Sequence, residues 1–132
     1  MKAITRSIFF GLLLLSSCTN EKEESQVESE IVGKWTLQSI SGGFAGTGYE
    51  AFFTHVAFKS DASYVMYNQE RIVSTGVYTI ENQIEGAIID FTVANPNAFE
   101  SSEKTIRFEN EQLILEDPCC DLYLYTFGPD SE

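Results

Sequence analysis

The sequence predicts an all-β protein, an antiparallel up-and-down meander of about eight strands closing into a small barrel. Three observations carry this. From Ile31 onward, apolar residues recur with period two rather than with a helical period. Aromatic and β-branched residues are abundant, and turn residues punctuate the chain. The links between consecutive runs are short, which favours neighbouring antiparallel strands, and closure removes their exposed edges. An open sandwich is the alternative arrangement of the same strands.

Residues 33–40 form the first run, with Trp35 and Leu37 on one face. The second, 52–60, puts Phe52, Val56 and Phe58 together and His55 outward beside Phe53 and Ala57. A tight turn at Asp61-Ala62 leads to 63–69. Runs 72–80 and 87–93 follow, separated by Glu81-Asn82-Gln83. In the latter, Ala87, Ile89, Phe91 and Val93 face one way and Asp90 and Thr92 the other. Residues 105–108 and 113–116 make a short hairpin about Glu109-Asn110-Glu111. The last run, 122–127, is apolar on both faces, which is read as Tyr123 and Tyr125 standing on the surface. A single helical turn is expected within 95–102, after Pro96, and no longer amphipathic helix is evident.

The N-terminus reads as an export signal. Lys2 and Arg6 precede an apolar stretch of eight residues, Ile8 to Leu15. A spanning helix needs roughly 20 apolar residues, so this stretch is too short. It ends in Leu15-Ser16-Ser17-Cys18, which resembles a bacterial lipobox. The resemblance implies diacylglycerol transfer to the Cys18 thiol, cleavage before Cys18, and acylation of the new amino terminus, with palmitate as a typical chain. Each buried methylene contributes about 0.8 kcal/mol, and several chains are needed for stable anchoring. An ordinary secretory signal with a chance cysteine is the alternative.

Residues 19–30 carry five acidic side chains and one lysine. They have too little apolar surface to offset ordering entropy, which predicts a disordered tether. Within it, Lys22-Glu23-Glu24 resembles the short export signal of Bacteroidetes surface lipoproteins, which implies an outer-membrane protein facing outward. A solvated spacer is the other reading. The expected organisation is a signal peptide over 1–17, a lipidated cysteine and tether over 18–30, and a barrel over 31–132.

Without residues 1–17 the chain has 115 residues, enough for one domain. It then holds 6 basic and 20 acidic residues, a formal charge of −14. That argues against nucleic acid, whose binding is driven by phosphate neutralisation. It also argues against adsorption of the barrel onto anionic headgroups.

Lipid would consume Cys18, leaving Cys119 and Cys120 adjacent. Three readings stand for this pair: a vicinal disulfide stiffening the turn into the last strand, two reduced thiols, or a metal site with Asp117, Asp121 or His55. Adjacent cysteines do not easily both reach one tetrahedral ion, so no metal is expected. The glycine-rich segment 41–48 around Phe44 is either a flap over the barrel mouth or a mobile connection with Phe44 tucked against the rim. It lacks the lysine and helix of a phosphate loop.

Gly33-Lys34-Trp35, opening the first strand after a tether, resembles the glycine-any-tryptophan motif of lipocalins and fatty-acid-binding proteins. The segment 117–127, two cysteines and an aspartate followed by alternating aromatics, is similar to an ending of lipocalin-like domains in small Bacteroidetes lipoproteins. The resemblance implies a barrel with Trp35 plugging its closed end, and small-ligand binding. It departs from the family where a basic residue usually follows the final aromatic; Gly128 stands there, and Arg107 is the candidate substitute.

Trp35, Phe58, Tyr64, Tyr78 and Phe91 then either line a ligand cavity, with Phe44 above them, or fill the interior; an eight-stranded barrel is wide enough for either. His55 is read as a surface histidine, and the carboxylates fall mainly in turns and outward positions. No catalytic constellation or cofactor site stands out. The expected function is a noncatalytic, membrane-anchored barrel binding a small apolar or amphipathic ligand at its open end. The alternative is a protein-interaction or structural accessory module of the cell envelope with a filled core; no protein partner is indicated.

Overall fold

Period-two alternation resolves into one closed, antiparallel barrel. The computed structural model describes residues 26–42, 51–93, 102–118 and 123–131. Its strands are β1 (Gly33–Gly42), β2 (His55–Phe58), β3 (Ser63–Asn68), β4 (Arg71–Gln83), β5 (Gly86–Val93), β6 (Glu103–Glu109), β7 (Gln112–Glu116) and β8 (Tyr123–Pro129). A short helix, α1 (Gln26–Ile31), precedes them. Each strand pairs with the next, and β8 returns to β1. The barrel, rather than a sandwich, is therefore the architecture. Reversals after β2, β4 and β6 share one end with α1, the closed end. Reversals after β1, β3, β5 and β7 lie at the other, the open end.

The tight turns are local chemistry. Glu109 pairs with Gln112 across Asn110 and Glu111, whose φ values of +50° and +64° are the two left-handed conformations of a type I′ hairpin. Asp61 Oδ1 accepts the Ser63 backbone N–H at 3.0 Å and holds the β2–β3 turn. The link placed at Glu81-Asn82-Gln83 is corrected. Those residues continue the ladder opposite Ile88, Ala87 and Gly86, and the reversal is at Ile84-Glu85.

Inward side chains pack against one another in the middle of the barrel. Phe91 meets the Tyr64 ring edge-to-face with centroids 5.2 Å apart, and Phe58 meets Tyr78 the same way at 5.2 Å. Both separations suit the ring quadrupoles. Gly76 makes this packing feasible. A Cβ there would stand 2.8 Å from the Tyr64 ring and hydroxyl and 2.6 Å from the Thr92 carbonyl oxygen. On β1 the register against β8 slips between Leu37 and Ser39, leaving Gln38 as the extra residue of a bulge. The slip keeps Leu37 opposite Phe127 and Ile40 opposite Tyr125.

Three expectations about faces are corrected. Residues 26–30 are helical, not a disordered tether: Val27 and Ile31, four apart on one helix face, pack on the core, and Ile31 is fully buried. Phe53 is buried, because β2 begins only at His55 and the alternation does not reach back to it. Tyr125 is fully buried and Tyr123 half-buried, so the tyrosines of β8 turn inward while Leu124 takes the other face.

Candidate functional site

The closed end is sealed by its own polar group. Trp35 Nε1 donates to the Ile31 carbonyl at 2.8 Å, satisfying one of the carbonyls that a helix end leaves open. The Trp35 and Phe108 rings lie 6.0 Å apart. Arg107 does not substitute for a stacking cation. It is exposed on the opposite face of β6 from Phe108, bound to Glu109 at 2.8 Å and Glu116 at 2.7 Å.

Toward the open end the interior becomes polar on two sides. On one side stand β6, β7 and β8. Lys104 shares the inward face of β6 with Ile106, opposite Ile89 of β5. Asp117, directly after β7, continues the inward parity of Leu113 and Leu115. The two side chains are 0% exposed and form an ion pair. Asp117 Oδ1 takes Lys104 Nζ, while Oδ2 accepts the Tyr123 N–H at 3.1 Å. Asp117 N in turn donates to the Tyr123 carbonyl at 3.1 Å. Lys104 Nζ also lies 5.5 Å from the Tyr125 ring centroid, in cation–π range. The pair thus clamps both ends of the β7–β8 connection. Its carboxylate is engaged on both oxygens, by Lys104 and by the Tyr123 N–H.

On the other side stand β3 and β4. The Tyr64 hydroxyl lies against Gly76, whose pairing with Val93 ends the β4–β5 ladder at the open side. Ser74 is buried one inward position further along. Neither hydroxyl has a hydrogen-bond partner among the described residues. Burial raises the Tyr64 phenol above its ordinary acidity constant, and the nearby Ser74 hydroxyl lowers it in part. The two hydroxyls thus stand near each other at the margin of a hydrogen bond.

Outside the barrel, His55 belongs to a polar patch on β1, β2 and the end of β8. Asp130 binds Lys34 Nζ at 2.7 Å and accepts from Thr36 at 3.1 Å, with His55 Nε2 4.0 Å away. Thr54 Oγ1 lies 2.7 Å from His55 Nδ1, which gives a hydroxyl, imidazole and carboxylate in sequence. The hydroxyl is already engaged. It accepts the Gln69 N–H at 2.7 Å and donates to the Tyr67 carbonyl at 3.2 Å, bracing the start of β2 against the end of β3.

The Lys34 ammonium, aided by Thr36 and His55, holds the Asp130 carboxyl below its ordinary value of 3.8. A depressed acid stabilises the fold above its unfolded pKa and loses that contribution as the pH falls through the folded one. Acid titration of an Asp130→Asn variant should therefore lose the part of the stability decline that lies below about pH 3.8 and leave the neutral limb's slope unchanged. An identical decline in both proteins would show that Asp130 contributes none of it.

Of the expected ligand-lining residues, Phe58, Tyr64, Tyr78 and Phe91 touch one another, while Trp35 lies at the closed end. Phe44, Cys18, Cys119, Cys120, the Lys22 motif and the turn after Pro96 lie outside the described residues. Lys104 and Ser74 join the interior beyond the residues the sequence singles out. Their signal is parity: each is a polar residue in an inward position of its strand. Among the described residues, no three His, Cys, Asp or Glu side chains gather as metal ligands, and no helix is long and apolar enough to cross a membrane. No family model, curated protein or solved structure matches the chain.

Proposed function

We propose that this is a membrane-tethered, noncatalytic barrel that binds a small amphipathic ligand at its open end. One observation carries the reading. Tyr64 and Ser74 place two buried hydroxyls inside an otherwise apolar wall with no partner among the described residues. A buried polar group left unmade costs about 1–3 kcal/mol, so such groups are ordinarily completed by water or a bound molecule. The mutually packed rings of Phe58, Tyr78 and Phe91 close the interior below, which leaves the ligand's polar group to the hydroxyls nearer the mouth. The opposing Lys104–Asp117 pair is already neutralised, so the ligand needs hydrogen-bonding groups more than charge.

The tether reading rests on Cys18 and the sequence before it. The chain enters the barrel through α1 at the closed end, opposite the mouth. The eight residues 18–25 before α1 reach at most about 30 Å when extended. The bilayer is thus the expected partner on one side and the small ligand on the other, on the outer membrane and facing outward.

Native mass spectrometry of the purified, full exported protein tests the reading. Wild type should carry a non-protein mass that a Tyr64→Phe/Ser74→Ala variant, equally folded, does not retain. An identical bound mass on both proteins, or none on either, contradicts it.

A further inference from the structure

The closed end carries a second site, and it does not rest on the ligand reading at the mouth. A groove of about 400 Å³ opens there between the end of α1 and the β6–β7 turn. Its lining includes Trp35, Phe108 and Pro129, with Glu30 and Glu111. The aromatic pair is held rigidly. Trp35 is fixed by its bond to the Ile31 carbonyl, and Phe108 packs against the core beside it. The two glutamates are exposed, one on α1 and one on the left-handed second residue of the β6–β7 turn. No described lining residue is basic. Arg107, the nearest arginine along β6, points away and is occupied by Glu109 and Glu116.

We infer that this groove receives an arginine side chain from a partner protein. The argument is complementarity of both shape and charge. A guanidinium is planar, stacks on an indole or phenyl face, and offers a fork of donors to carboxylates. The groove presents those two surfaces together: apolar rings as the floor and two carboxylates at the rim. It is shallow and open, which suits an inserted side chain better than an enclosed small molecule. The acidic balance of the chain, 20 acidic against 8 basic residues over the full sequence, favours approach of a cationic partner.

The chain has a single tryptophan, so its emission reports on this groove alone. The test titrates the full protein at low salt with the peptide acetyl-Gly-Arg-Gly-amide, and with the same peptide bearing citrulline, which is neutral and nearly isosteric. The arginine peptide should shift or quench Trp35 emission saturably, and citrulline should not. Replacing both rim carboxylates, Glu30→Gln with Glu111→Gln, should weaken the arginine response about 3- to 10-fold, in line with exposed ion pairs. Raising the salt to 0.15 M should weaken it further, because screening then acts within about 8 Å. Equal responses to arginine and citrulline, or an unchanged response in the double variant, would overturn the site. So would a blue shift with phosphatidylcholine vesicles and none with the peptide, which would assign the groove to lipid.

Discussion

Replacing Lys104 by methionine is expected to destabilise the barrel by about 3–5 kcal/mol, because it strands the Asp117 carboxylate in the interior. The native pair balances a large desolvation cost against attraction at short range. Removing one partner leaves the cost and deletes the attraction. The loss is a large share of a total that is about 5–15 kcal/mol for a domain of this size. The double variant Lys104→Met/Asp117→Leu should recover most of it, since apolar replacements of buried ion pairs are often neutral or better. Recovery should stop short of full, because Asp117 also accepts the Tyr123 N–H and ties down the β7–β8 connection. Urea unfolding of the three proteins measures this. Equal stability of the single variant and wild type would mean that the pair is open to water.

The second large effect is at Phe91. Its side chain is fully enclosed between the rings of Phe58 and Tyr64. Phe91→Ala should cost about 3–5 kcal/mol, the transfer of the ring plus the cavity it leaves. A residue that merely lined an open, hydrated cavity would lose much less, since its ring would already face solvent or ligand. Denaturant midpoints therefore separate a packed wall from a lined one. A cost under about 1 kcal/mol, well below the usual range for large core truncations, would return Phe91 to the cavity lining.

The barrel is legible in the sequence because strand pattern and turn chemistry agree. The alternation of Ala87, Ile89 and Phe91 against Asp90 and Thr92 appears directly as buried and exposed faces. Asn110 and Glu111 mark a reversal that the register confirms. What escaped has particular causes. The helix α1 has six residues, too few to be stable on propensity alone; Val27, Ile31 and the Trp35 indole hold it, and those contacts exist only after the barrel closes. Tyr125 was placed outside because both faces of β8 are apolar, and composition does not choose between them. Pairing does, through Leu115 on one side and Ile40 on the other.

The site was less legible than the fold. Lys104 lies one residue before the run placed at 105–108, and lysine is rarely buried without a partner. Its partner, Asp117, is 13 residues on and reads locally as the start of a Pro118 turn. Their meeting is a product of barrel closure. Trp35, Phe58, Tyr64, Tyr78 and Phe91 are buried, yet ring type does not distinguish wall from lining. The hydroxyls of Tyr64 and Ser74 do, since packing among the described residues leaves them unsatisfied.

The most direct test of this account is therefore the stability of the ligand-free Tyr64→Phe/Ser74→Ala protein. Removing two buried hydroxyls that none of the described residues satisfies should leave the unfolding free energy unchanged or raise it. A loss of about 1–3 kcal/mol would show that these groups serve the fold itself and would contradict a ligand site at the mouth.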